Sequence, residues 1–204
     1  IIDDGTFNIA DDATASVTTS YVLTGFNNGN TVINGGTFAG AIVADYGADD
    51  VKYSISGGEF ATAVSEEFIA ENRLFYPTEN GFTVGTQEQM EADPANTAVA
   101  VIGKMAYASL AEAVDAVPTD NSPVTITLVG GENGVITAPG IKIVANKNIT
   151  IDFNGLTYNV TDTVGSSGTE TNGFQLLKGS VVTLRNGKII SSTAKIIIQN
   201  YCNL

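Results

Sequence analysis

Residues 148–160, NITIDFNGLTYNV, decide how this chain is read. Ile149, Ile151 and Phe153 alternate with Thr150 and Asp152, so an extended chain has one apolar and one polar face. Asn154-Gly155 then supplies two residues that tolerate positive φ, and Leu156, Tyr158 and Val160 resume the alternation beyond the corner. The phrase predicts strand, corner, strand. It returns as VVTLRNGKII (181–190) and, more loosely, as IIDDGTF (1–7), VINGGTF (32–38) and SISGGEF (54–60).

The spacing of these phrases is regular. Phe38 to Phe60 and Val182 to Leu204 are each 22 residues, whereas Phe7 to Phe38 is 31 and Ile149 to Val182 is 33. One period of about 22 with insertions of about 10 accounts for all four, as in solenoids whose coils bury their apolar sides on their neighbours. Phe7, Phe38 and Phe60 recur with the coil and are expected to stack inside it. The segments 10–30, 39–50 and 162–172 are expected to leave the coils as surface loops.

Composition agrees with strands and tight turns. Among 204 residues, 22 are glycine and 43% are hydrophobic, which is enough to fill a core. With 22 acidic residues against nine basic ones and no histidine, the net charge of −13 opposes nucleic acid and anionic lipid as partners. No apolar run reaches the roughly 18 residues of a membrane span. Cys202 is the single cysteine; it has no internal disulfide partner and no histidine to activate it. The chain opens on Ile1-Ile2-Asp3-Asp4 and stops on Tyr201-Cys202-Asn203-Leu204, and both ends read as cut from a longer protein.

Three stretches depart from strand patterning. In 61–73, Ser65 can cap and Glu66-Glu67 sit in a first turn, which predicts a short helix; with the strand GFTVG (81–85) it would close a first module over 1–85. TQEQMEADPANT (86–97) is polar without alternation and is expected to be a linker. In the module over 98–204, a strand near Val99 precedes a helix with a Ser109/Glu112 capping box, ended by Pro118. Val124, Ile126 and Leu128, then Ile141 and Ile143, carry the strand ladder on.

The run IGKMAYASLAEAVDAVP…VTITLVGG…NKNITIDFNGLTYNV…VTLRNGKI, with ISGGEF…VSEEFIAENRLFYPTENGFTVG before it, resembles the right-handed parallel β-helix modules of bacterial surface proteins and phage fibres or spikes. The fold expected is therefore all-β, a right-handed parallel β-helix (β-solenoid) of two modules with short capping helices. The resemblance implies an extracellular place, on a bacterial surface or a virion, a surface glycan or protein receptor as partner, and a homotrimer in the phage-fibre case. It transfers architecture and no catalytic residues. Where such β-helices are lyases or hydrolases, acids with Arg or Lys gather on one face of adjacent coils.

Weighed one by one, the candidate residues favour local duties. The pairs Asp3-Asp4, Asp11-Asp12, Asp49-Asp50 and Glu66-Glu67 are neighbours in sequence, so on a strand they face opposite ways, and in turns they bond their own backbone. Asp152 and Asp162 would meet only if stacking brought 162–172 over the strand. Tyr46, Tyr53 and Tyr158 can stack on a sugar or pack inside the fold. Lys142, Lys147, Arg185 and Lys188 form the one basic neighbourhood and read as a solvated face. The N-x-T matches at Asn148 and Asn159 follow from corner geometry. No calcium loop of known spacing occurs, and no metal, cofactor, catalytic residue or defined ligand residue is assigned. The function expected is a non-catalytic structural or adhesive segment presenting loops for glycan or protein binding; the alternative is a polysaccharide lyase or glycoside hydrolase on the same scaffold.

Overall fold

The computed structural model describes residues 1–7, 21–25, 30–44 and 52–203. Of the described residues, 49% lie in strands and 9% in helices, so the fold is mostly β. It divides into two compact units, Ile1–Thr97 and Ala98–Leu204. Asp11-Asp12, Asp49-Asp50, Tyr46, most of the segment 10–30 and residues 45–50 lie outside the described residues, while the described Tyr21–Gly25 and Ala41–Ala44 are paired strands where surface loops were expected.

The first unit contains β1 (Thr6–Phe7), β2 (Tyr21–Gly25), β3 (Asn30–Ile33), β4 (Thr37–Phe38), β5 (Ala41–Ala44), β6 (Lys52–Ile55), β7 (Gly58–Phe60), β8 (Leu74–Thr78), β9 (Gly81–Gly85) and the helix α1 (Gln87–Ala92). Strands β1, β4 and β7 run parallel with Phe7, Phe38 and Phe60 in one column, and β2–β5 and β3–β6 are further parallel pairs. The phenylalanine rings stack at 5.0 and 5.1 Å, and Phe38 is 1% exposed. That is the expected aromatic column. The parallel run ends at β7, which pairs antiparallel with β9, itself antiparallel to β8.

Corners between these strands explain the repeated glycines. Asn34 Nδ2 donates to Asp3 Oδ1 (2.8 Å), and Ser56 Oγ donates to Asn34 Oδ1 (2.9 Å), so a polar ladder climbs the corner. Beneath it the backbones approach closely: a Cβ on Gly57 would run into the Asn34 carbonyl, while Gly58 sits at φ +113 with the Gly36 carbonyl 3.1 Å from where its Cβ would be. Only glycine satisfies both demands.

Two expectations for this unit are corrected. Over 61–73 only Glu66–Phe68 is helical, as a 3₁₀ helix, and Ser65 makes no side-chain cap. Ile69 is already extended and bridges to Ile55, while the Ala70 amide donates to the Ile55 carbonyl, so pairing with β6 overrides helix propensity. The segment 86–97, expected as a linker, is folded. Thr86 and Gln89 make a reciprocal capping box at α1, Met90 is buried, and the Thr97 amide returns to the Pro77 carbonyl.

The second unit contains β10 (Ala100–Ile102), β11 (Met105–Tyr107), α2 (Leu110–Ala116), β12 (Pro123–Leu128), β13 (Val135–Ala138), β14 (Ile141–Ile143), β15 (Asn148–Asp152), β16 (Thr157–Val160), β17 (Val164–Ser166), β18 (Thr169–Leu176), β19 (Val181–Arg185), β20 (Lys188–Ser191) and β21 (Ile196–Asn200). An antiparallel hairpin, β10–β11, joins β12. From there the pairing is parallel in three stacks: β12–β15–β19, β13–β16–β20 and β14–β18–β21. Inward residues such as Ile126, Ile151, Tyr158 and Phe174 form one buried core with Leu110, Ala113 and Val114 of α2. Asn154-Gly155 takes the expected corner, with φ of 52° and 80°, and Asn133 and Asn186 are likewise left-handed before β13 and β20.

Three details differ from expectation here. The Ser109 side chain accepts from the Glu112 amide, yet Glu112 reaches back to the Ala108 amide and not to that of Ser109, so the box is one residue out of step. Residues 162–172 are no loose loop, because β17 pairs antiparallel with the start of β18 around Gly168 at φ 80°. Lys147 is not on a solvated face: it is 4% exposed and its ammonium donates to the carbonyls of Val114 (2.7 Å), Asp115 (3.1 Å) and Val117 (2.6 Å) at the C-terminal end of α2. Strand β15 begins one residue later and fixes that reach.

Candidate functional site

Two polar groupings among the described residues, one in each unit, are candidates for a site. In the second unit, strand register sets Asp152 directly beside Arg185 on the next strand. The guanidinium Nε donates to Asp152 Oδ2 (2.9 Å), the Asn186 amide reaches both carboxylate oxygens at 3.2 Å, and the Asn154 backbone amide donates to Oδ1 (2.9 Å). The Asn154 amide first, then Asn186 and Arg185, hold this carboxyl below the usual carboxylate range. An acid and an arginine on adjacent strands is the juxtaposition a lyase would need, yet here Arg185 Nε and the Asn186 side-chain amide tie the corner after β15 to the one after β19 through the Asp152 carboxylate. Asp162 is elsewhere: its carboxylate accepts from the Thr161 hydroxyl at the start of the β17–β18 hairpin.

A pH dependence follows. Because the folded pKa of Asp152 is lowered, its contribution to stability is present above the unfolded carboxylate value of about 3.9 and is lost as pH falls through the folded value. Asp152→Asn is therefore expected to lower the urea midpoint of the second unit at pH 7, with the gap to the native protein closing as the pH drops below about 4. A gap that stays constant down to pH 2.5 would contradict this.

The first unit has a cleft of about 310 Å³. Register builds its floor: Thr37 lies beside Glu59, and Glu59 beside Thr83, on the side of the strands opposite buried Phe38 and Phe60. Thr78 and Asn80 of the β8–β9 turn line it from one direction, and Asp93 and Ala95, just after α1, from another. Asp93 is fixed from both sides, since the Tyr76 hydroxyl donates to Oδ2 (3.1 Å) and the Ala95 amide to Oδ1 (2.9 Å). Burial first, and Asp93 next to it, push the Tyr76 hydroxyl up to about 12, so it stays a donor. The Thr37 hydroxyl donates to Glu59 Oε2 (3.3 Å).

The other candidates resolve into structural roles. Asp3 and Asp4 bond the Asn34 side chain and the Gly5 amide, and Glu67 accepts from Ser65. Tyr53 is buried against Phe68 (4.7 Å), and Tyr158 is buried edge-on to Phe174 (5.4 Å) with its hydroxyl on the Pro139 carbonyl, so neither ring is open to a sugar. Burial raises the pKa of both. Of the four basic residues, Lys142 and Lys188 are exposed, Arg185 is paired and Lys147 is buried. The Cys202 thiol donates to the Asn203 carbonyl and packs beside the core. Among the described residues no group of three His, Cys, Asp or Glu is placed to hold a metal ion, and no helix is long and apolar enough to cross a membrane.

Sequence reasoning did not single out Glu59 or Asp93. Glu59 replaces the threonine of GGTF in GGEF, and that break in the repeat was its one signal; Asp93 lies in the stretch taken for a linker. No protein-family model, curated protein or solved structure matches the chain.

Proposed function

We propose that the chain is a segment of right-handed parallel β-helix, two modules with short capping helices, that does non-catalytic structural and adhesive work on an extracellular bacterial or viral surface, presenting loops for glycan or protein binding. The observation that carries this reading is the parallel stacking in register. Thr150 lies between Thr125 and Thr183, Asn159 between Thr137 and Ile190, and Gln175 between Lys142 and Gln199. Three such stacks linked in sequence are what successive coils of a solenoid produce, and connections between parallel strands favour the right hand. A stack of this kind is stiff along its length and repeats its outer face, which suits display of a glycan- or protein-binding surface.

The rival reading, a polysaccharide lyase or glycoside hydrolase, draws on the Asp152–Arg185 pair, but a substrate there would have to displace the Asn154, Asn186 and Arg185 hydrogen bonds. Incubation with a panel of insoluble and soluble polysaccharides separates the two, with co-sedimentation read alongside the release of reducing ends and unsaturated products. Retention without release is expected. Product formation abolished by Asp152→Asn would replace the adhesive reading with an enzymatic one.

A further inference from the structure

Resting on the adhesive reading, we propose that the cleft of the first unit is a binding site for a short neutral or amino-sugar glycan. Its volume of about 310 Å³ stands at the lower end of small-ligand sites, about 300–1,000 Å³, which is room for a mono- or disaccharide. The chemistry of the lining selects the class. Glu59 and Asp93 supply carboxyl acceptors, each oxygen holding more lone pairs than its protein donors fill. Thr78, Thr83 and Asn80 add groups that both donate and accept, and the half-buried Phe82 with Ala61 and Ala95 adds apolar surface for the C–H face of a sugar ring.

Among the described residues no lysine or arginine lines the cleft, so an incoming ligand must supply the donors that the two carboxyl groups need. Vicinal hydroxyls do so in pairs that match a carboxylate, and an ammonium group does so with charge. A uronate or sulfated sugar would set its anion against two carboxylates on a chain of net charge −13. Preorganisation favours binding as well, because Asp93 is held by Tyr76 and Ala95 before any ligand arrives and loses little freedom on contact.

The test uses the whole chain in titration calorimetry and saturation-transfer NMR with three disaccharides: N,N′-diacetylchitobiose, its de-acetylated diamine and digalacturonate. The first two are expected to bind and the third not. Glu59→Gln should weaken binding about tenfold or more, as losing a hydrogen bond to a charged acceptor does, and Asp93→Asn likewise, while Glu132→Gln in the other unit changes nothing. Circular dichroism confirms that each variant is folded. The assignment is overturned if a bound disaccharide ignores both variants, if digalacturonate binds best, or if the folded protein binds none of them. Should polysaccharide retention persist in any of those cases, the adhesive reading stands and the cleft alone is wrong; should retention vanish too, both fall.

Discussion

Phe38→Ala is expected to cost the first unit about 3–5 kcal/mol, the range for a fully buried phenylalanine cut back to a methyl group. The ring is 1% exposed and lies between Phe7 and Phe60, at 5.0 and 5.1 Å with interplanar angles of 13° and 6°. Removing it opens a void and also breaks two stacked contacts, each worth about 0.5–1.5 kcal/mol beyond burial. Neighbouring strands cannot close the gap, because the spacing of β1, β4 and β7 is set by backbone pairing and by the glycine corners beneath. Phe38→Leu separates the effects: it keeps most of the buried volume, loses the stacking, and is expected to cost about 1–3 kcal/mol. Urea titration followed by near-ultraviolet dichroism of the aromatic residues measures both. A Phe38→Leu variant as stable as the native protein would show that the stack contributes nothing beyond volume.

Much of the ladder was legible because its rule is local. Alternation in NITID, TYNV and VVTLR needs only a period of two, and Asn154-Gly155 announces its own corner, so strands and left-handed residues fell where the residues put them. The recurrence of phenylalanine predicted the column for the same reason. What was not legible depends on partners far along the chain. Ile69 looked helical beside Phe68 and Glu67, but a free edge on β6 claimed it. The polarity of 86–97 concealed a capping box, Thr86 with Gln89, and one apolar anchor, Met90, that suffice for a short helix docked against its own unit.

The site was harder still. A column such as Thr37, Glu59 and Thr83 is assembled from three strands, one of them antiparallel, so no sequence window contains it. Tyr53 and Tyr158 show the converse: a tyrosine on an alternating strand reads the same whether its ring points to solvent or to the core, and here the hydroxyl of Tyr158 finds the Pro139 carbonyl inside.

Lys147→Met is expected to destabilise the second unit by about 3 kcal/mol. The substitution keeps the apolar stem and removes the ammonium, so the loss is electrostatic and not one of volume. Three carbonyls at the end of α2, those of Val114, Asp115 and Val117, converge on Nζ at 2.7, 3.1 and 2.6 Å, and each N–H of the ammonium has one acceptor. The last carbonyls of a helix have no partner within it, and they carry the negative end of its dipole, so a cation there serves both needs. Without it, the Val117 and Asp115 carbonyls lose their donor at about 1–3 kcal/mol apiece, softened where water can reach Asp115, while the Val114 carbonyl keeps only the Val117 amide at 3.3 Å. Lys147→Arg should not rescue the loss, since a planar guanidinium cannot aim three donors at acceptors arranged around a tetrahedral centre. Lys142→Met, five residues earlier on an exposed face, is the control and is expected to change stability by less than about 0.5 kcal/mol. Urea midpoints, with hydrogen exchange of the α2 amides, decide the matter: faster exchange at Ala113–Val117 in the Met and Arg variants alone is the expected pattern. If the arginine variant proved as stable as the native protein, charge alone and not the geometry of three bonds would be holding the helix to β15.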